Sequence, residues 1–217
     1  MRSITIAQGE YYHIFNRGNH QQDIFHDDRD RARFLTGLLL HQYPAVIPQI
    51  GRVVDHYVKH RVFDSSLVLN DPYVALVCFA LMPNHFHCIV HEREEGGIAR
   101  YMQRLLNGYT KYFNTKREKS GHLFQGPFQA VHIEDDDQLV YLSAYIHRNP
   151  RALQGWRDRE HEYPWSSYQD YVGENRWGAL LSPRIVLDQV GRGAPYRRFV
   201  DRSGAKEHLV DAALHID

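Results

Sequence analysis

The sequence predicts an α+β sandwich with a mainly antiparallel central sheet, and two observations carry that prediction. Short strand-like runs at residues 11–15, 73–82, 85–91 and 128–133 alternate with long stretches of helical periodicity. Met82-Pro83-Asn84 joins the second and third runs over a turn too short for a parallel crossover, so these two strands pair as a hairpin. The resulting order, β, α, β, β, α, β, α, is that of a ferredoxin-like sandwich with helices packed on the sheet.

Each element has a local reason. Tyr11 to Phe15 reads as a strand closed by the turn-forming Asn16-Arg17-Gly18-Asn19. A helix is expected from about Asp28, where acidic residues suit a helix start and Phe34, Leu35, Leu38 and Leu39 recur at helical spacing. Residues 42–71 read as an insertion: Pro44 and Pro48 break its first part, while Val53, Val54, Tyr57, Val58 and Val62 suit either an amphipathic helix or a ragged strand. Ile98, Met102, Leu105, Leu106, Tyr109 and Phe113 mark a long helix after Gly96-Gly97. Asp135 to Asp137 favour the start of the next helix, which runs to about His147 and is stopped by Asn149-Pro150. The reading is a main domain over 1–155 and a small C-terminal helical extension over 156–217, with Ser182-Pro183 opening a short helix.

Composition narrows the function class. The 217 residues are 43% hydrophobic, enough for one sizeable core. No run approaches a membrane span and the N-terminus lacks the apolar stretch of a signal peptide, so a soluble, cytoplasmic protein is expected. Cys78 and Cys88 sit in apolar strands and read as core. Lys plus Arg equals Asp plus Glu, 26 each, so contact with nucleic acid must come from local patches. Three are candidates: Asn16 and Arg17 in the first turn, the basic face of the helix at 98–117 with Arg104 and Lys111, and the tail with Arg197 and Arg198. Tyr101, Tyr109 and Tyr112 are candidates for base stacking on that face, though the last two also serve its apolar stripe.

The chemistry centres on two places. His85 and His87 are two apart on a strand, so both imidazoles leave one face while Phe86 points into the core. Such a pair can grip a divalent metal or be a satisfied structural pair. Tyr141, Tyr145 and Asn149 follow at i, i+4 and i+8 on one face of the last long helix; read blandly, Tyr145 is a core-edge residue and Asn149 a C-cap.

Taken together, the motifs resemble a family. His85-Phe86-His87 after Leu81-Met-Pro-Asn84 is similar to the histidine motif of the single-tyrosine HUH transposases, and Tyr145-Ile-His-Arg-Asn-Pro150 to their nucleophile helix. His13-Ile-Phe-Asn-Arg-Gly-Asn19, Gly121-His-Leu-Phe-Gln-Gly126 and Tyr163-Pro-Trp-Ser-Ser-Tyr168 resemble the REP-associated tyrosine transposases, a branch of the IS200-like superfamily. The resemblance implies that His85, His87 and Asn149 bind Mg²⁺ or Mn²⁺ with no organic cofactor, and that Tyr145 is the nucleophile. It implies nicking and joining of single-stranded or hairpin DNA through a 5′-phosphotyrosine. Tyr141 lacks the Ile-His-x-Asn-Pro context. Asn149 departs from the glutamine that some relatives carry, and Pro127-Phe128-Gln129 stands where relatives have Arg-Phe-Lys, so that loop should contact phosphate less. The alternative is a non-catalytic hairpin-DNA-binding protein that retains the fold. A water-activating metal hydrolase and a rolling-circle initiator are further rivals. The tyrosine helix can act in its own subunit or across a homodimer.

Overall fold

The computed structural model describes residues 5–47, 49–63 and 71–204. Four strands, β1 (Tyr11–Arg17), β2 (Val74–Met82), β3 (His85–Glu92) and β4 (Gln129–Ile133), form one sheet in the order β2-β3-β1-β4 with every neighbouring pair antiparallel. Crossovers through α1 (Asp28–Leu40) and α3 (Gly97–Lys116) and the β2–β3 hairpin produce this order, the ferredoxin-like arrangement the sequence predicts.

Strand alternation divides the interior into two cores. Ile14, Phe79, Phe86 and Cys88 face α1 and α3, meeting Phe34, Leu38 and Met102. From the other face Val77, Ala80, Ile89 and Ile133 meet α4 (Asp136–Arg148) through Leu139, Leu142 and Ile146. One helix is too narrow to cover that second face. The C-terminal extension completes it: α5 (Tyr168–Val172), α6 (Arg184–Val190) and α7 (Ala194–Arg202) contribute Tyr171, Val186, Tyr196 and Val200 to the same core. The Trp165-Ser166-Ser167 segment lies along the edge of β2, with Leu81 N–H donating to Trp165 O at 2.9 Å and Ser167 N–H to Phe79 O at 3.0 Å.

In the expected insertion, residues 50–60 are helical rather than a strand: α2 (Ile50–His60) buries Val54 and Tyr57 against α1 and Trp177. Residue 48 and residues 64–70 of that stretch lie outside the described residues. Among the described residues no helix is long and apolar enough to cross a membrane.

The expected basic, tyrosine-bearing face of α3 is largely neutralised and buried. Tyr101 is fully buried with its hydroxyl donating to Leu38 O at 2.6 Å, and Tyr109 donates to Ile24 O at 2.5 Å. Lys116 and Arg117 converge on Asp30, itself fully buried, which also accepts from Tyr112 at 3.0 Å and from the His26 backbone N–H at 3.0 Å. Burial would push the Asp30 carboxyl up, but these donors outweigh it and hold the group below its usual value. The charge of the α3 C-terminus is therefore matched by the α1 N-terminus, a partner 86 residues away from Lys116 in sequence.

Candidate active site: a histidine pair facing a tyrosine helix

The β2–β3 turn is clamped by the turn after β1. Ile24 N–H donates to Pro83 O and Gly18 N–H to Asn84 O, both at 2.8 Å, and Asn84 Nδ2 donates to Gln21 O at 3.2 Å. Only glycine fits at position 18, because a Cβ there would lie 2.1 Å from Gln22 O. Asn84 Oδ1 lies 2.7 Å from His85 Nδ1, so the proton sits on Nδ1 and His85 carries its lone pair on Nε2.

Phe86 is fully buried on the α1–α3 side, and His85 and His87 emerge together on the α4 side with ring centroids 5.0 Å apart and nearly perpendicular. His87 is fully buried; its Nδ1 lies 2.9 Å from His13 Nε2 on β1, while its Nε2 has no hydrogen-bond partner. Burial, followed by the neighbouring His13, His85 and Arg17, drives its pKa well below the ordinary imidazole value and keeps the ring neutral. An orphaned nitrogen in a buried site is uncommon, and an imidazole lone pair beside a second imidazole suits a transition-metal ion such as Zn²⁺ or Mn²⁺ better than Mg²⁺. The donor set thus fits a metal ion. Among the described residues no third His, Cys, Asp or Glu joins the pair, so an ion held there would need amide, phosphate or water oxygens as its remaining ligands. His91 stacks on Tyr11 and contacts Gly9 O at 3.1 Å, and His132 contacts Glu10 at 2.9 Å; both are spent on the sheet rather than on the pair.

Helix α4 begins at Asp135, whose side chain accepts from Gln138 N–H, and carries Tyr145 to the histidines. The Tyr145 ring lies 5.8 Å from that of His87 in an edge-on arrangement, 8% exposed. Tyr141, one turn earlier, packs on Phe199 of α7 at 5.4 Å and lines a cleft of about 330 Å³ with Arg198 and Arg202. Tyr145 is thus the tyrosine whose ring meets His87. Asn149 follows the helix, half-buried, with Nδ2 donating to Tyr145 O at 3.0 Å; its acceptor oxygen is the atom suited to a cation.

A buried chain of hydrogen bonds fixes this helix. Ser167 Oγ meets His147 Nε2 at 2.8 Å, His147 Nδ1 meets Tyr196 Oη at 2.7 Å, and Tyr196 Oη meets Ser143 Oγ at 2.9 Å, which donates to Val140 O at 2.7 Å. One assignment satisfies every group: Ser167 donates to His147, His147 to Tyr196, and Tyr196 to Ser143, while Ser167 accepts from Phe79 N–H at 2.8 Å. Burial lowers the His147 pKa to about 3. The unfolded chain binds this proton near pH 6.5 and the folded chain refuses it, so stability is complete above that pH. It falls by about 1.4 kcal/mol per unit as the pH drops toward 3. In denaturant titrations between pH 7 and pH 4, His147→Gln should show a shallower pH slope than the parent and, from the altered network, a lower stability at pH 7, by about 1–3 kcal/mol.

The sequence candidates for DNA contact separate. Arg17 is half-buried and pairs across the sheet with His85, so its charge lies beside the histidine pair. Asn16 is 4% exposed, accepts from Arg17 N–H at 2.8 Å and donates to Gly126 O at 3.0 Å, zipping the 121–126 loop to the end of β1. The Arg104 guanidinium donates to Tyr43 O at 2.5 Å and Ala45 O at 2.6 Å and braces the segment before α2. Lys111 is exposed at a groove of about 610 Å³ between α3 and the 122–128 loop, and Arg197 and Arg198 are exposed on α7. His13, Asn84, His147 and Ser167 were not singled out by sequence, because each acts through a partner brought near by folding.

Residues 53–149, which span the histidine pair, Tyr145 and Asn149, match the family model described as transposase IS200-like. The match covers a little under half of the chain. The matched segment contains both the histidine pair and the tyrosine helix. Among solved structures, the chain is similar to a REP-associated tyrosine transposase bound to a REP hairpin, with a TM-score of 0.51, 14% identity, and coverage of 79% of this chain and 84% of that one. At that identity the likeness is one of fold. No curated protein matches the chain.

Proposed function

We propose that the protein is a metal-dependent single-tyrosine transposase that nicks and rejoins single-stranded, hairpin-associated DNA. The observation that carries this reading is the Tyr145 ring set against His87, in a site where His87 Nε2 is buried and unpartnered. The Tyr-Ile-His-Arg-Asn helix and the transposase family of the surrounding segment support it, as does the fold shared with a hairpin-bound relative.

His85 and His87 through Nε2, and Asn149 through its amide oxygen, would hold Mg²⁺ or Mn²⁺, which supplies Lewis acidity to the non-bridging oxygens of the scissile phosphate. Tyr145 Oη then attacks phosphorus. The bond to the 3′ oxygen breaks, the phenolic proton passes by way of solvent to that oxygen, and the 5′ side stays on the enzyme as a phosphotyrosine. Because the ester energy is retained, attack by another 3′-hydroxyl reverses the step and joins strands without ATP. Arg17, next to His85, offsets the charge of the phosphate. Lys111, Arg197 and Arg198 suit backbone contacts farther out; Lys111→Gln and Arg198→Gln should each weaken DNA affinity and reduce the slope of log affinity against log salt by about 0.7, the increment per phosphate on a single strand.

The test is incubation with labelled single-stranded hairpin oligonucleotides from the source genome, with Mg²⁺, Mn²⁺ or EDTA. A denaturant-resistant protein–DNA adduct that needs the metal is expected. Tight hairpin binding without an adduct under any metal would instead establish the non-catalytic binding protein.

A further inference from the structure

The geometry points to His13 as a positioning residue that fixes the tautomer and ring orientation of His87, an inference that rests on the metal reading above. His13 and His87 are both fully buried, their rings stack at 5.1 Å with a 16° angle between planes, and a hydrogen bond of 2.9 Å joins His13 Nε2 to His87 Nδ1. Only one proton can occupy that bond, and the two ways of placing it differ in consequence. If it belongs to His13, His87 must carry its own proton on Nε2, leaving a buried N–H without an acceptor. The other placement puts the His13 proton on its own buried Nδ1, so the desolvation cost of a buried N–H does not choose between the two, and the choice falls to what a cation needs. If it belongs to His87 Nδ1, Nε2 bears a lone pair directed into the site, as a cation requires. With a cation held by the pair, His13 does for His87 what Asn84 does for His85, accepting the Nδ1 proton so that both ligands present Nε2. Phe15, 4.7 Å from the His13 ring and 5.9 Å from that of His87, limits rotation of both.

Shape and acceptor can be separated by substitution. His13→Phe fills the space but accepts no hydrogen bond; His13→Gln places an amide oxygen near the original Nε2. Nitrogen-15 NMR of the metal-free parent protein should show His87 as the Nδ1–H tautomer. Manganese binding, followed by electron paramagnetic resonance, should weaken about 10–100-fold in His13→Phe, the range for losing an outer-shell partner of a ligating histidine. His13→Gln should recover most of the loss, with melting temperatures confirming that each variant is folded. A proton found on His87 Nε2, manganese affinity in His13→Phe equal to the parent, or a Gln variant as weak as the Phe variant would overturn the assignment. If the parent binds no divalent ion, the metal reading fails by itself, and the tautomer in the metal-free protein still decides the role of His13.

Discussion

Tyr145→Phe is expected to abolish the covalent adduct, a loss of about 10³-fold or more of the kind that follows removal of a nucleophile. The ring that packs against His87 is retained, so hairpin affinity should be nearly unchanged and stability should shift by no more than about 1 kcal/mol, the usual scale for one hydroxyl. Tyr141→Phe provides the contrast. Its ring rests on Phe199 beside Arg198 and Arg202, so this variant should keep forming the adduct. Gel separation under denaturing conditions measures the adduct, and filter binding of the same oligonucleotides measures affinity.

The second large effect is expected from His87→Ala. Losing an outer-shell partner costs about 10–100-fold in metal affinity, so losing a ligand should cost more than that and bring metal-dependent cleavage to background. The variant should also change the pH dependence of folding. His87 is held neutral by burial, so its pKa is depressed, and its contribution to stability is complete above about pH 6.5 and lost as the pH falls below it. With alanine in its place that component disappears, and denaturant midpoints between pH 7 and pH 5 should fall less steeply than in the parent. Excess Mn²⁺ should raise the melting temperature of the parent and leave His87→Ala unmoved, because a ligand stabilises only the form that binds it.

Much of this was legible in the sequence because the relevant information is local. Alternation around Phe86 places His85 and His87 on one face, the Met-Pro-Asn turn forces a hairpin, and helical spacing puts Tyr141, Tyr145 and Asn149 on one stripe. What was not legible depends on partners distant in the chain. The basic end of α3 looked available because its counter-charges, Asp27 and Asp30, lie on α1. Tyr101 looked exposed because nothing near it in sequence reveals that α1 covers it with a carbonyl acceptor. Arg104 and Asn16 have backbone carbonyl partners that only folding brings near them. The ambiguity of α2 had another origin: clustered valines satisfy both periodicities, and contact with α1 and Trp177 decides for the helix.

The motifs that carried the family resemblance also acquire separate physical roles. His13-Ile-Phe-Asn-Arg-Gly-Asn19 supplies the acceptor behind His87, the arginine beside His85 and the glycine that permits the clamp on Asn84. Gly121 to Gly126 is pinned to the end of β1, with Gln125 N–H donating to Arg17 O at 2.9 Å. Trp165-Ser166-Ser167 seals the edge of β2 and, through Ser167 and His147, ties that edge to the helix bearing Tyr145.

Identification of the amino acid joined to DNA tests the tyrosine mechanism most directly. Adduct formed with a hairpin oligonucleotide in Mn²⁺ should be digested with protease and nuclease and the modified peptide sequenced by mass spectrometry. A nucleotide attached through its 5′ phosphate to Tyr145 is the expected product. Attachment to Tyr141 or any other residue, or cleavage that proceeds with no protein-linked product, would contradict that mechanism.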